Sequence, residues 1–404
     1  MNKFRLKELL EIKNGRDYKH LKDGDIPVYG SGGFMRYVDK SLYEGKSILL
    51  PRKGTLSNIQ YVNEPFWTVD TIYYSIVDED KADPYYLYNY IKLLDLSRLN
   101  SGTGVPSMTF GAYYDVPIRL PNLNIQKKTA KVLSDLDAKI EVNNKINQEL
   151  EAMAKKLYDY WFVQFDFPDA NGKPYKSSDG KMVFNEELKR EIPAGWNVGT
   201  LLDIATYVNG LACQKYKPLD ESYLPVIKIR EMKGGFTNDT EKVRPNVPDR
   251  IKVFDGDILF SWSASLEVIQ WAGGNGALNQ HIFKVTSKKY PKSYYYFELL
   301  NYLQHFKMIA DLRKTTMGHI TQDHLKQSRI VIPPNLIIQQ LDEKLKPILD
   351  KQVVLQRENQ KLSELRDWLL PMLMNGQVNV GEGYSEGERE LGMVAEERIS
   401  YKDK

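Results

Sequence analysis

Two stretches of the chain carry a helical rhythm longer than anything around them. Leu133, Leu136, Ile140, Asn143, Asn147, Leu150, Ala154, Leu157 and Trp161 recur at alternating spacings of three and four, the seam of a coiled coil. Further on, Leu341, Ile348, Leu355, Leu362 and Leu369 form a seven-residue ladder with Leu345 and Leu365 beside it, and a fixed offset of 208 superposes the two ladders. The pattern predicts long spacer helices within 123–165 and 336–376. Helices of this length span on the order of 50 Å, more than a small domain needs. Their seams have to be buried, most simply against each other in an antiparallel pair. The expected pairing residues are Leu133, Ile140, Asn147, Leu157 and Trp161 on one helix and Leu341, Ile348, Leu355, Leu362 and Leu369 on the other. Asn143 and Asn147 sit mid-seam, where polar residues cost stability and fix register. Pro347 is expected to kink the second helix or delay its regular start.

Each long helix follows a region of shorter rhythm. Strand-like runs such as Ser47–Leu50, Thr71–Val77 and Ile258–Ser261 alternate with turn signals at Gly30-Ser31-Gly32-Gly33, Asp255-Gly256 and Gly273-Gly274, which reads as an α/β domain with much irregular loop. The two regions repeat. LKELLEIKNG at Leu6–Gly15 answers LLDIATYVNG at Leu201–Gly210, and Ile26-Pro27-Val28 answers Leu224-Pro225-Val226. Gly32-Gly33-Phe34 answers Gly234-Gly235-Phe236, Ile48-Leu49-Leu50 answers Ile258-Leu259-Phe260, and the Tyr-rich Tyr85–Ile91 answers Tyr294–Leu300. So many matches in one order indicate two copies of one large unit. The fold class expected is therefore α/β (α+β): two similar globular domains separated by two long antiparallel coiled-coil helices, in a pseudo-two-fold internal repeat. The segments are domain 1 at 1–122, helix 1 at 123–165, an ordered linker at 166–195, domain 2 at 196–335, helix 2 at 336–376, and an acidic, loosely held tail at 377–404.

Composition narrows the function. Of 404 residues, 42% are apolar and 27% charged, a balance that supports real cores. No secretory signal or membrane-length apolar run is visible, and one cysteine, Cys213, rules out a disulfide framework and points to a reducing cytoplasm. Net charge is +3, and because 377–404 holds seven acids and four bases the remainder stands at +6. Covalent chemistry finds little support. Gly45-Lys46-Ser47 lacks the first glycine of a phosphate loop, Asp83-Pro84-Tyr85-Tyr86 reads as a helix start, and His319 and His324 have no metal-binding spacing. What remains is two similar domains held apart by a rod, an arrangement suited to reading two DNA half-sites. The paired loops supply the candidates. Ser31, Ser101, Thr103, Ser107, Thr315, Thr316 and His319 can hydrogen-bond bases or phosphates, and Arg52, Lys53, Lys228, Arg230, Arg313 and Lys314 are candidates for guanine or phosphate. No metal or catalytic residue is assigned.

IRLPNLNIQ at Ile118–Gln126 and IVIPPNLIIQ at Ile330–Gln339 lead into the two helices; YWFVQF at Tyr160–Phe165, IPAGW at Ile192–Trp196 and LLPMLMNGQV at Leu369–Val378 follow them. In this combination, over nearly its whole length, the chain resembles the specificity subunits of type I restriction-modification enzymes. The resemblance implies two target-recognition domains, each reading one half of a split double-stranded DNA sequence. It implies helices that space them and seat two methyltransferase subunits, with restriction subunits completing the complex. It also implies that S-adenosylmethionine, ATP and magnesium belong to the partners and that this chain is a non-catalytic, cytoplasmic subunit. The alternative is a coiled-coil scaffold whose duplicated domains bind proteins rather than DNA.

Overall fold

A computed structural model describes residues 1–100, 104–312, 319–378 and 380. The chain divides into two compact units, Met1–Ala138 together with the chain from Leu362 onward, and Lys139–Lys361. This division cuts through both long helices, where the sequence pattern set them apart from the domains.

The first unit runs β1 (Asn2–Arg5), β2 (Leu10–Asn14), β3 (Ile26–Gly30), β4 (Gly33–Val38), β5 (Lys46–Pro51), β6 (Gln60–Asn63), β7 (Trp67–Thr68), β8 (Ile72–Val77), α1 (Pro84–Lys92), α2 (Phe110–Tyr114), β9 (Pro117–Leu120) and the start of α3 (Leu123–Tyr158). One sheet has the order β2-β8-β5-β6, a second the order β4-β3-β7, and β1 pairs with β9. The second unit continues with β10 (Met182–Asn185), β11 (Arg190–Pro193), β12 (Asn197–Thr200), α4 (Leu201–Ile204), β13 (Thr206–Asn209), β14 (Leu224–Ile227), α5 (Ile229–Gly234), β15 (Lys242–Val243), β16 (Lys252–Val253), β17 (Ile258–Ser261), β18 (Glu267–Gln270), β19 (Gly276–Leu278), β20 (Ile282–Thr286), α6 (Lys292–Leu312), α7 (Gln322–Gln327), β21 (Arg329–Ile332) and α8 (Asn335–Met374). Its sheets are β13-β20-β17-β18 and β15-β14-β19-β16, with β12 paired to β21.

The repeat is therefore a repeat of strand order. Parallel pairing recurs at the same place, Val28 opposite Trp67 in one unit and Val226 opposite Ala277 in the other. The matched residues have physical reasons. Leu6 and Leu201 are fully buried, and the carboxylates of Glu8 and Asp203 each accept the backbone N–H three residues earlier, at 2.6 and 2.7 Å. A Cβ on Gly15 would lie 2.0 Å from the Val69 carbonyl oxygen, and one on Gly210 would lie 2.1 Å from that of Asn279. Only glycine permits that approach. One match is not equivalent: Gly32 and Gly33 close the β3–β4 hairpin, whereas Gly234 ends α5, which is inserted after β14. Asp83 caps α1 as its sequence suggests, its carboxylate accepting from Tyr86 N at 2.9 Å. Residues 166–195 form the β10–β11 hairpin and send Phe167 and Ile192 into the second core.

Both long helices are continuous, and Pro347 neither interrupts α8 nor delays its start at Asn335. Within the second unit they pair antiparallel. Asn143, fully buried, donates to Glu358 Oε2 (2.8 Å) and Asn359 Oδ1 (2.9 Å), and Gln352 donates to the Asn147 carbonyl (3.3 Å). Lys139 faces Glu358 at 3.7 Å. Within the first unit Arg366 of α8 meets Asp137 of α3 at 2.7 Å, and the Tyr85 hydroxyl of α1 also donates to Asp137. The helix ends do something else. Leu133 joins the first core with Leu373 and Met374, and Leu369 packs against it. Leu341 and Trp161 lie in the second core, with Leu157 and Ile348 against it. Trp161 itself sits in a π-helical turn, Asp159–Val163, that closes α3. Of the ten expected pairing residues, Ile140, Asn147, Leu355 and Leu362 in the middle are the ones outside the domain cores.

Burial also corrects the offset between the helices. The buried series Gln126, Thr129, Leu133 and Asn143 matches Ile338, Leu341, Leu345 and Leu355 at an offset of 212. The sequence ladders favour 208, one helical turn away. A seam alternating threes and fours puts apolar on apolar at either offset, so only the buried faces separate them.

Candidate nucleic-acid interface

In the first unit the loops after β3, β5 and β7 converge on Thr71. Its carbonyl accepts from the N–H groups of Arg52 (2.9 Å) and Lys53 (3.1 Å), and its hydroxyl accepts from Ser31 N (3.4 Å). Met108 N then donates to the Arg52 carbonyl (2.9 Å), Gly54 N donates to Pro106 O (3.0 Å), and Lys53 bridges to Ser107. The structure thus brings Ser31, Arg52, Lys53 and Ser107 together, and Thr71 is the hub that sequence reasoning missed. The Arg52 guanidinium lies 6.0 Å from the Tyr73 ring centroid and donates to the Asp70 carbonyl (3.3 Å), which aims it without neutralising it. Beside this cluster a cleft of about 770 Å³ is lined by Lys19, Gly32, Phe34, Asp70 and Thr71 among others. Phe34 is half exposed, and its ring stands 4.8 Å from that of Tyr37. Burial, with Glu64 adding to it, pushes the Tyr29 hydroxyl up to about 12, so it remains a donor to that carboxylate.

The second unit builds the same backbone cradle. Trp262 N donates to the His281 carbonyl (3.3 Å), as Arg52 N does to Thr71. Ile320 N donates to the Trp262 carbonyl (2.9 Å), as Met108 N does to Arg52. Asn279 N donates to Ile227 O, as Val69 N does to Tyr29 O, both at 3.0 Å. Thr109 and Thr321 cap the short helices that follow. These bonds place Trp262 where the first unit has Arg52, Gln280 where it has Asp70, His281 where it has Thr71, and His319 where it has Ser107. The indole N–H of Trp262 donates to Asn209 Oδ1 (3.0 Å), and its ring lies 5.4 Å from His281, 5.6 Å from His319 and 5.9 Å from Phe283.

Of the remaining sequence candidates, Lys228 pairs with Glu241 at 2.6 Å, and Arg230 sends two guanidinium nitrogens to Glu231 Oε1. Glu231 is 1% exposed and also accepts from Lys228 N. Both cations are therefore held by carboxylates of their own unit. Ser101, Thr103, Arg313, Lys314, Thr315 and Thr316 lie outside the described residues. Sequence reasoning missed Trp262, Gln280 and His281, which the strand register of the repeat identifies. Among the described residues no group of His, Cys, Asp or Glu is arranged to hold a metal ion, and no helix is long and apolar enough to cross a membrane.

Comparison with known proteins fits this doubled arrangement. A family model described as the type I restriction modification DNA specificity domain matches residues 1–152 and 193–365. The chain is 25% identical, over 94% of its length and 93% of the relative's, to the type I restriction enzyme MjaIX specificity subunit of Methanocaldococcus jannaschii. It is 24% identical to the HindI specificity subunit of Haemophilus influenzae, over 93% of this chain and 92% of that one. Its fold resembles the crystal structure of the S subunit of a type I restriction-modification system from M. genitalium, with a TM-score of 0.61 at 13% identity, over 92% of this chain and 95% of that one.

Proposed function

Because the chain belongs to the type I restriction-modification DNA specificity family, we propose that its two units each read one half of a bipartite double-stranded target. The observation that carries this reading is the cradle built twice, with Arg52 and Thr71 in one copy and Trp262 and His281 in the other. A shared backbone with different side chains is what two readers of different half-sites require, since phosphate contacts position and base contacts specify. The scaffold alternative gives no reason for variable polar loops on a repeated cradle, and family membership disfavours it.

The finer roles follow from the same premise. The helices α3 and α8 fix the spacer and seat two methyltransferase subunits; restriction subunits join the same complex. This chain supplies recognition and no chemistry of its own, and we assign S-adenosylmethionine, ATP and magnesium to the partners. The single buried cysteine, Cys213, supports a reducing cytoplasmic setting.

The test is domain exchange in the assembled complex. Replacing residues 1–120 by the corresponding domain of another family member should change one half of the methylated motif and leave the other intact; replacing 196–335 should do the reverse. A change in both halves from either exchange would mean that the units do not read independently.

A further inference from the structure

Resting on that reading, we propose that the second unit recognises an A·T base pair in the major groove of its half-site through Gln280 and Trp262, with His281 holding the Gln280 amide. The first unit does the corresponding work with a guanidinium and hydroxyl groups. The argument starts from position. Trp262, Gln280 and His281 occupy the places of Arg52, Asp70 and Thr71 on the duplicated cradle, so whatever the Arg52 loop touches in one half-site, the Trp262 loop faces in the other.

The chemistry at that position is then restrictive. Trp262 is held by Asn209 at its N–H and packs against the rings of His281, His319 and Phe283. A ring already fixed loses little freedom on binding and offers a rigid apolar wall. Against duplex DNA the apolar feature available in the major groove is the thymine methyl. Beside the wall stands Gln280, whose carboxamide matches the N6 donor and N7 acceptor of adenine, the partner base in the same pair. Its Nε2 lies 3.2 Å from His281 Nε2, which orients the amide. His281 Nδ1 is shielded and has no hydrogen-bond partner among the described residues, so His281 serves by holding the Gln280 amide and does not itself touch a base. Lys228 and Arg230 on the same unit are each paired with a carboxylate, Glu241 at 2.6 Å and Glu231 at 2.7 Å.

The experiment uses the full chain assembled with its modification subunits and reads the methylated motif of the host genome. Gln280→Ala and Trp262→Phe should each relax one A·T position in the half-site governed by residues 196–335, with discrimination there falling about tenfold. The salt dependence of DNA binding should stay as it is. Arg52→Ala, the comparator, should affect the other half-site and lower the salt slope by about one if its contact is to phosphate. Thermal melting of each variant identifies those that keep the fold. Folded Gln280→Ala protein that methylates an unchanged motif, or relaxes a G·C position, overturns the inference. If that happens while domain exchange still switches half-sites, the two-reader function stands and only this assignment falls. If domain exchange also leaves the motif unchanged, the function itself is wrong.

Discussion

After β5 the first unit carries Arg52, and after β17 the second carries Trp262, yet the two residues make the same two backbone hydrogen bonds. The same division holds along the helices. Asp137, tied to Tyr85 and Arg366 in the first unit, corresponds at an offset of 212 to Leu349, which is 2% exposed in the second core. The helix α1 reads PYYLYNYIK with no acid, whereas α6 places Glu298 beside Tyr158, whose hydroxyl donates to it at 2.6 Å. Duplication has kept the main-chain contacts and let both the exposed loops and the interior polar groups diverge. Backbone hydrogen bonds and close glycine approaches are intolerant of change, whereas a side chain on a fixed frame can be exchanged when its neighbours satisfy it.

The largest effect should come from breaking the shared frame one copy at a time. Gly15→Ala and Gly210→Ala each drive a Cβ into a backbone oxygen, at 2.0 and 2.1 Å, and should cost about 3–5 kcal/mol. Limited proteolysis should show the first unit opened by Gly15→Ala and the second by Gly210→Ala. Equal sensitivity throughout the chain in either variant would show that the copies stand or fall together.

A smaller effect separates the two interiors by pH. Burial pushes the Glu298 carboxyl from its ordinary 4.5 up to about 7, against the opposing pull of the Tyr158 hydrogen bond and the Arg190 charge. The folded second unit therefore holds a proton that the unfolded chain releases more readily. Stability from this group is complete below pH about 4.5 and is lost as pH rises through about 7, by at most about 3 kcal/mol. Glu298→Gln, which keeps an acceptor for Tyr158, should flatten the melting temperature of the second unit between pH 5 and 8 and raise it at the upper end. An unchanged pH profile in this variant would remove Glu298 from the account.

The smallest effect concerns the Arg366–Asp137 ion pair, whose Asp137 position is taken by buried Leu349 in the second unit. Arg366 and Asp137 are each about one-third exposed, so Arg366→Ala should lower the stability of the first unit by about 1 kcal/mol, and less in high salt. A double-mutant cycle with Asp137→Ala measures the coupling.

The repeat was legible in the sequence because each short match marks a constraint of the backbone. Asn14-Gly15 and Asn209-Gly210 sit where a carbonyl presses on the glycine, and Leu6 and Leu201 fill the same buried place. The long helices were legible from their period. Less visible was where each part of the seam is buried, because Leu133 and Leu355 look alike in a heptad pattern although one enters a domain core and the other does not. The site was half legible. Ser31, Arg52, Lys53 and Ser107 stand out as polar or basic loop residues, but Trp262 follows an apolar strand and reads as more of the same. The inserted α5 also shifts the glycine match to an offset of 202 where the strands Val28 and Val226 give 198. Register, which only strand pairing reveals, recovers the counterpart.

The first unit is assembled from two separated pieces of chain, and this sets an order of events during synthesis. Ala130 and Leu133 wait for Leu373 and Met374 to complete their core, and all of Lys139–Lys361 has to be translated in between. At about 5–20 residues per second that is a delay of roughly 10–45 s. The second unit, contiguous in the chain, has everything it needs before then. The domain whose residues emerge first from the ribosome is thus the one finished last, with its apolar seam open to other nascent chains until the final turns of α8 arrive.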